Sequence, residues 1–303
     1  MKLLTYASNG QEKIGVLSKD KDLVYVLSQF GIAARSMNEL IDTMTAADMQ
    51  ALGARIYKRE TDLEGSCPGL ESEPLSKIRL CAPIPRPKQD FICLGINYAA
   101  HAEESARYKK ETFEKNRDYA IYFSKRVNEA VADGGSIPAH EALVDSLDYE
   151  AELAFIIGRT AKNVKKEQAR DYIFGYTIVN DMSARNVQTR HKQWYFGKSL
   201  DGFTPMGPWI VTADEIVWPP ALSVRSYVNG GLRQDANTDL LLFGIDEIVE
   251  ELSAGMTLLP GTVILTGTPA GVGMGMTPPQ FLKAGDTVEC CIEGIGSLKN
   301  TIV

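Results

Sequence analysis

Along most of the chain, short apolar runs alternate with glycine, proline and asparagine turns, a pattern of many strands rather than of long helices. Segments 3–6, 14–17 and 23–27 read as strands, and two helices follow them. Ser36 with Glu39 fits a capping box, and Thr45 with Asp48 repeats it ahead of Met49, Leu52 and Ile56 at helical spacing. Pro83, Pro85 and Pro87 then remove amide donors and favour extended backbone, which marks a connector. Residues 1–75 are therefore expected to form a small α+β N-terminal domain, with residues 76–303 as the main body. In that body the pattern predicts strands at 91–94, 120–123, 149–157, 174–179, 209–211, 263–266, 288–292 and 298–303, with only brief helices. Asn229-Gly230 between strand-like flanks predicts a tight hairpin. The fold class expected is mostly β with short helices (α+β).

Within 149–157 a period of two puts Tyr149, Ala151, Leu153, Phe155 and Ile157 on one face and Glu150 and Glu152 on the other. Carboxylates about 7 Å apart along a strand repel each other, and a hard cation between them reverses that cost. The ordinary alternative is a solvent face carrying alternating glutamates. Asp181 ends the apolar segment 174–181 and leads into an expected helix at 183–188, so its competing role is a helix cap. Three oxygen ligands without cysteine suit Mg²⁺ or Mn²⁺ better than Zn²⁺.

Beyond the glycine turn at Gly95, His101 and Glu104 lie three apart on a helical stretch, where a carboxylate can orient an imidazole and raise its basicity. A salt-bridged histidine on a surface helix is the plainer alternative. The polar stretch that continues to Asp118 reads as solvated and movable, a candidate lid. Lys198 sits between aromatics and glycine, where a functional lysine would bind a carboxylate or enolate. Thr266-Gly267-Thr268-Pro269-Ala270-Gly271-Val272-Gly273 offers closely spaced amides and reads either as an anion nest or as a simple chain reversal. It lacks the Lys-Ser/Thr of a phosphate loop, so nucleotide binding is a poor reading.

Composition narrows the function classes. The formal net charge of -7 disfavours nucleic acid, because phosphate binding needs a concentrated basic surface. A pocket can still be locally cationic, so Arg185, Arg190, Lys192 and Lys198 matter more than the sum. No apolar run approaches the length of a membrane span, and no signal-peptide stretch opens the chain; a cytoplasmic location without membrane partners is expected. Cys67, Cys81, Cys93, Cys290 and Cys291 show no CxxC spacing, which argues against a disulfide framework or zinc knuckle.

Five motifs occur in order: Gly95-x-Asn97-Tyr98-x-x-His101-x-x-Glu104; Glu150-x-Glu152; Asn180-Asp181-x-Ser183-Ala184-Arg185-x-x-Gln188; Gly197-Lys198-Ser199; and Thr266-Gly267-Thr268-Pro269-x-Gly271-Val272-Gly273. Together they resemble the fumarylacetoacetate hydrolase family over about residues 78–303, while residues 1–75 resemble only a variable extension. The resemblance implies a β-roll core with mixed sheets, usually a homodimer, with Glu150, Glu152 and Asp181 holding Mg²⁺ or Mn²⁺. It implies His101 and Glu104 as a catalytic dyad on a lid, Lys198 as a catalytic cation, and Arg185, Gln188, Lys198 and Thr268 as ligand contacts. The activity expected is cleavage of a carbon-carbon bond in a small 2-oxo acid through a metal-stabilised enolate, by hydrolysis of acylpyruvate-type substrates. Oxaloacetate decarboxylation and 2-hydroxymuconate-type isomerisation share the first chemical requirement and remain open. A catalytically silent 2-oxo acid binding module is the distant alternative.

Overall fold

In the computed structural model, residues 1–61, 72–109 and 118–303 are described. Cys67 and residues 110–117 of the expected lid lie outside them. The N-terminal strands are β1 (Lys2–Ser8), β2 (Gln11–Leu17) and β3 (Leu23–Val26), with a 3-10 turn, Leu27–Phe30, where the last strand was expected to continue. Helices α1 (Met37–Thr43) and α2 (Ala46–Thr61) begin at the caps read from sequence: Ser36 Oγ accepts the Glu39 amide at 3.2 Å, and Thr45 and Asp48 exchange bonds at 3.2 and 2.9 Å.

After β4 (Ser72–Pro74) and β5 (Arg79–Leu80) the chain enters β6 (Phe91–Gly95), α3 (Ala99–Lys109) and β7 (Ile121–Lys125). Then come β8 (Ser136–Ile137), β9 (Leu147–Asp148), β10 (Ala151–Ile157), β11 (Ile173–Asn180) and β12 (Ser183–Ala184). Two short helices, α4 (Arg185–Arg190) and α5 (Tyr195–Lys198), precede β13 (Met206–Thr212) and the hairpin β14 (Ser223–Val228) and β15 (Gly231–Asn237). Asn229 and Gly230 have φ of 51° and 81°, the two positive values a type I′ turn requires. The chain ends with α6 (Ile245–Gly255), β16 (Val263–Leu265), β17 (Thr287–Ile292) and β18 (Gly296–Ile302). Helix α6 was not foreseen. Its signal was present: Ile245, Ile248, Val249 and Leu252 at helical spacing, with the Gly244 amide bonded to Glu247.

The strands form an 11-stranded sheet in the order β4-β3-β2-β1-β13-β11-β10-β16-β6-β7, with β5 on β1, and a 5-stranded sheet β15-β14-β17-β18-β8. Both are mixed: β16 runs parallel to β6, and β18 to β8. The fold is thus mostly β with few short helices. The N-terminal strands continue the large sheet, Leu3 pairing with Ile210 and Lys2 with Val211.

β10 lies between β11 and β16, and all its residues are buried. Leu153, Phe155 and Ile157 join one core, shared with the smaller sheet and α6; Ala154 and Ile156 join the other, shared with α1 and α2. Each large apolar side chain so buried contributes about 1.5–3 kcal/mol. The expected period of two is present, but its second face is a second core and not solvent. Two sequence boundaries also shift. Tyr149 and Glu150 leave the ladder before β10 begins, and residues 183–184 pair with β9 where a helix was expected.

Candidate active site

β10 and β11 are adjacent antiparallel strands, Glu152 opposite Val179, so the carboxylates before and within β10 meet the acid that follows β11. The Asn180 side chain accepts the Glu150 amide at 3.0 Å, and the Asp181 amide donates to the Glu150 carbonyl at 2.9 Å. Each of Glu150, Glu152 and Asp181 offers an oxygen within 4.8 Å of the others, and all three residues are buried. The solvent-face alternative for the glutamates is therefore excluded. So is the cap alternative for Asp181, because Ala184 occupies the N-cap of α4.

Lys198 arrives from α5, its ammonium 2.7 Å from Glu150 and 2.5 Å from Asp181. Gly197 permits this approach, since a Cβ there would lie 2.4 Å from the Gln188 amide. Lys125, fully buried at the end of β7, donates to the other Asp181 oxygen at 2.6 Å. Arg185 bonds Asp148 through Nε at 2.9 Å, contacts Glu150 through Nη1 at 2.7 Å and gives the same nitrogen to Gln188 at 3.1 Å. Sequence reasoning missed both Lys125 and Asp148.

Four buried carboxylates (Asp148, Glu150, Glu152, Asp181) thus face three buried cations (Lys125, Lys198, Arg185), an excess of one negative charge. The excess settles on Glu152. Burial, then the Asp181 and Glu150 carboxylates, push its carboxyl well above the usual range. At Glu150 burial also pushes upward, but Lys198, Arg185 and His101 outweigh it and hold that carboxyl well below the usual range. Burial lowers Lys125, whereas at Lys198 the Asp181 and Glu150 carboxylates overcome burial and raise it. A compact group of hard oxygens with surplus negative charge fits a divalent cation, which would take the place of the proton at Glu152.

The loop around 266–274 does not present its amides to an external anion. Gly267 donates to Glu152 at 2.7 Å, Gly271 to Glu104 at 3.0 Å, and Gly273 and Met274 to Asp148 at 2.7 and 3.0 Å. The nest is real, and its anions are the protein's own carboxylates. The Thr268 hydroxyl donates to the Ala151 carbonyl at 3.0 Å and accepts from Gln234 at 2.7 Å, while Thr268 still lines the cleft.

His101 and Glu104 lie on α3, as expected, with Glu103 pointing out to solvent. His101 is buried at 5% exposure, which rules out the surface-helix alternative. Its Nδ1 is 3.6 Å from Glu104, beyond hydrogen-bond reach, and makes no hydrogen bond. The pair is adjacent but not joined.

A narrow cleft of about 20 Å³ opens among these groups. Glu150, Glu152, Arg185, Gln188, Lys198, Thr268 and His101 are among its polar lining residues, and Leu94, Ile96, Phe123, Trp194 and Met274 among its apolar ones. The indole of Trp194 lies where a side chain on Gly95 would be, 2.1 Å from a Cβ built there. Next to it Ile96 adopts φ of 59°, a left-handed value costly for a β-branched residue. Among the described residues no helix is long and apolar enough to cross a membrane.

A family model described as "Fumarylacetoacetate (FAA) hydrolase C-terminal" matches residues 90–303. Oxaloacetate tautomerase YisK of Bacillus subtilis (strain 168) is 45% identical over 228 residues, 75% of this chain and 74% of that protein. Fumarylacetoacetate hydrolase (EaFAH) from psychrophilic Exiguobacterium antarcticum has a TM-score of 0.80 at 37% identity, covering 100% of this chain and 99% of that one. Maleylpyruvate hydrolase from Sphingobium sp. SYK-6, solved with manganese(II) ion and pyruvate, has a TM-score of 0.76 at 29% identity, covering 100% and 99%.

Proposed function

This chain belongs to the fumarylacetoacetate hydrolase family and is an enzyme, and we propose that it holds Mg²⁺ or Mn²⁺ between Glu150, Glu152 and Asp181 and moves a proton beside the carbonyl of a small 2-oxo acid. The observation that carries this reading is the meeting of three buried carboxylates beside a cleft that two of them, Glu150 and Glu152, line together with Lys198 and His101. A divalent cation bound there supplies a Lewis acid for a 1-carboxylate and its neighbouring 2-oxo oxygen.

The chain's own groups do the rest. Lys198, fixed by Glu150 and Asp181, adds positive charge where the 2-oxo oxygen gains electrons. His101, buried on the cleft with an uncommitted Nδ1, takes the proton from the adjacent carbon and delivers it to the 2-oxo oxygen, or carries it the opposite way from enol to keto. Arg185 braces Glu150, and Gln188 braces Arg185. The apolar lining residues Leu94, Ile96, Phe123, Trp194 and Met274 limit the water that shares the cleft with substrate.

Keto–enol conversion of an oxaloacetate-type acid is the reading this geometry supports best. One base passing one proton suffices for it, and His101 stands apart from Glu104. The likeness to an oxaloacetate tautomerase supports the same reading. Hydrolysis of an acylpyruvate is the second reading; it would need His101 drawn onto Glu104 to activate water, and the likeness to maleylpyruvate hydrolase favours it. The family further leads us to propose a cytoplasmic homodimer, which light scattering on the purified chain checks.

A substrate panel decides between these readings. Enol-oxaloacetate, keto-oxaloacetate and acetylpyruvate are incubated with protein plus Mn²⁺ and with Mn²⁺ alone, because free cations also promote decarboxylation. Faster loss of the enol absorbance without carbon dioxide release supports tautomerisation. Cleavage of acetylpyruvate with no effect on the enol replaces it with hydrolysis, and no acceleration of any substrate removes the enzyme reading at this site.

A further inference from the structure

Asp148 does not line the cleft, yet its fully buried carboxylate touches both halves of the site. One oxygen accepts the Tyr149 and Gly273 amides at 3.0 and 2.7 Å; the other accepts Arg185 Nε at 2.9 Å and the Met274 amide at 3.0 Å. On one side Arg185 passes its other end to Glu150. On the other, only Val272 separates the Gly273 amide from that of Gly271, which holds Glu104 at 3.0 Å.

We propose that Asp148 is a positioning residue that couples the acidic triad to His101 and Glu104, through Arg185 in one direction and the 271–274 backbone in the other. The inference rests on the reading that Glu150, Glu152 and Asp181 hold a divalent cation. The loop can transmit a displacement because its shape has little latitude. Gly271 has φ of 106°, and a Cβ there would lie 2.0 Å from the Arg233 carbonyl; a Cβ on Gly273 would lie 2.2 Å from the Gln280 carbonyl. A cation drawing on Glu150 changes the share of Arg185 left for Asp148, and Asp148 passes the change to the amides beside Glu104. Mere packing of a buried carboxylate explains four satisfied bonds but predicts no such transmission.

The test is a Mg²⁺ titration of the full wild-type chain followed by amide resonances. Gly267, bonded directly to Glu152, reports whether the cation reaches the triad. The expected result is that Gly271, Gly273 and Met274 shift with the same midpoint as Gly267. Movement of Gly267 alone overturns the coupling while leaving the cation reading intact, and a silent Gly267 overturns both. In Asp148→Asn, Gly267 should still respond and Gly271 should not, with Mg²⁺ affinity by calorimetry weaker by about tenfold as Arg185 loads onto Glu150. A Gly271 response unchanged in that variant also overturns the proposal. Should Asp148→Asn fail to fold, the wild-type titration decides by itself.

Discussion

Lys125 and Asp181 bury opposite charges with no solvent exposure on either side chain. Removing Lys125 leaves Asp181 with Lys198 alone and four buried carboxylates facing two buried cations, so Lys125→Met should destabilise the chain by about 3 kcal/mol in urea unfolding. Mg²⁺ should restore part of that loss by supplying the missing positive charge beside Asp181; no recovery would mean that the cation does not reach Asp181. His101→Ala should lower turnover by about two to four orders of magnitude while Mg²⁺ affinity is kept, and an unchanged rate would remove His101 from proton transfer. Glu150→Gln should lose metal affinity and activity together, measured by calorimetry and the oxaloacetate assay. Glu150, Glu152 and Asp181 were legible as acids at strand spacing or at a strand's end. Lys125 and Asp148 were not, because their partners stand 56 and 37 residues away and nothing local marks a lysine or aspartate as buried.

Among the elements, the glycine-rich loop shows where sequence reading reached and where it stopped. Closely spaced amides predicted an anion nest, and the structure supplies anions from the protein itself, a choice that depends on β10 and α3 lying against the loop. Gly271→Ala should both destabilise the fold and release Glu104, with a fall in melting temperature and in turnover; retention of both would show that the loop adapts. A second junction lies in the N-terminal sheet, where Glu73 of β4 accepts from Ser8 at 2.5 Å, Lys13 at 3.0 Å and Tyr6 at 3.1 Å. The Ser8 hydroxyl, ahead of opposing burial and then Lys13 and Tyr6, holds its carboxyl below the ordinary 4.5. Its contribution is therefore complete above that value and is lost as pH falls through the lower folded value. Glu73→Gln should be less stable than the parent chain at neutral pH, and acid unfolding curves should converge once pH has fallen below the lowered folded value of Glu73. Most strands were readable from alternation, while α6 escaped although its apolar residues stand at helical spacing, because Gly244 at its N-cap offers no capping side chain to mark the start.

For the molecule as a whole, the large sheet runs without a break from β4 to β7 and crosses the connector that sequence placed near residue 76. Proline punctuation marks where the backbone changes direction, and it carries no information about which strands will pair across it. A chain starting at residue 76 would leave the β13 edge without β1, and such an edge recruits other strands. That truncation should raise light scattering on heating relative to the full chain; equal scattering would show that the edge is covered in another way. The pairing of Lys2 with Val211 also bears on how the protein is made. On the ribosome β1 finds β2 almost at once and β5 can take the Tyr6–Ala7 part of its other edge, but the Lys2–Leu3 part waits until residues 206–212 have been synthesised, so the first strand is fully closed only after about two thirds of the chain exists.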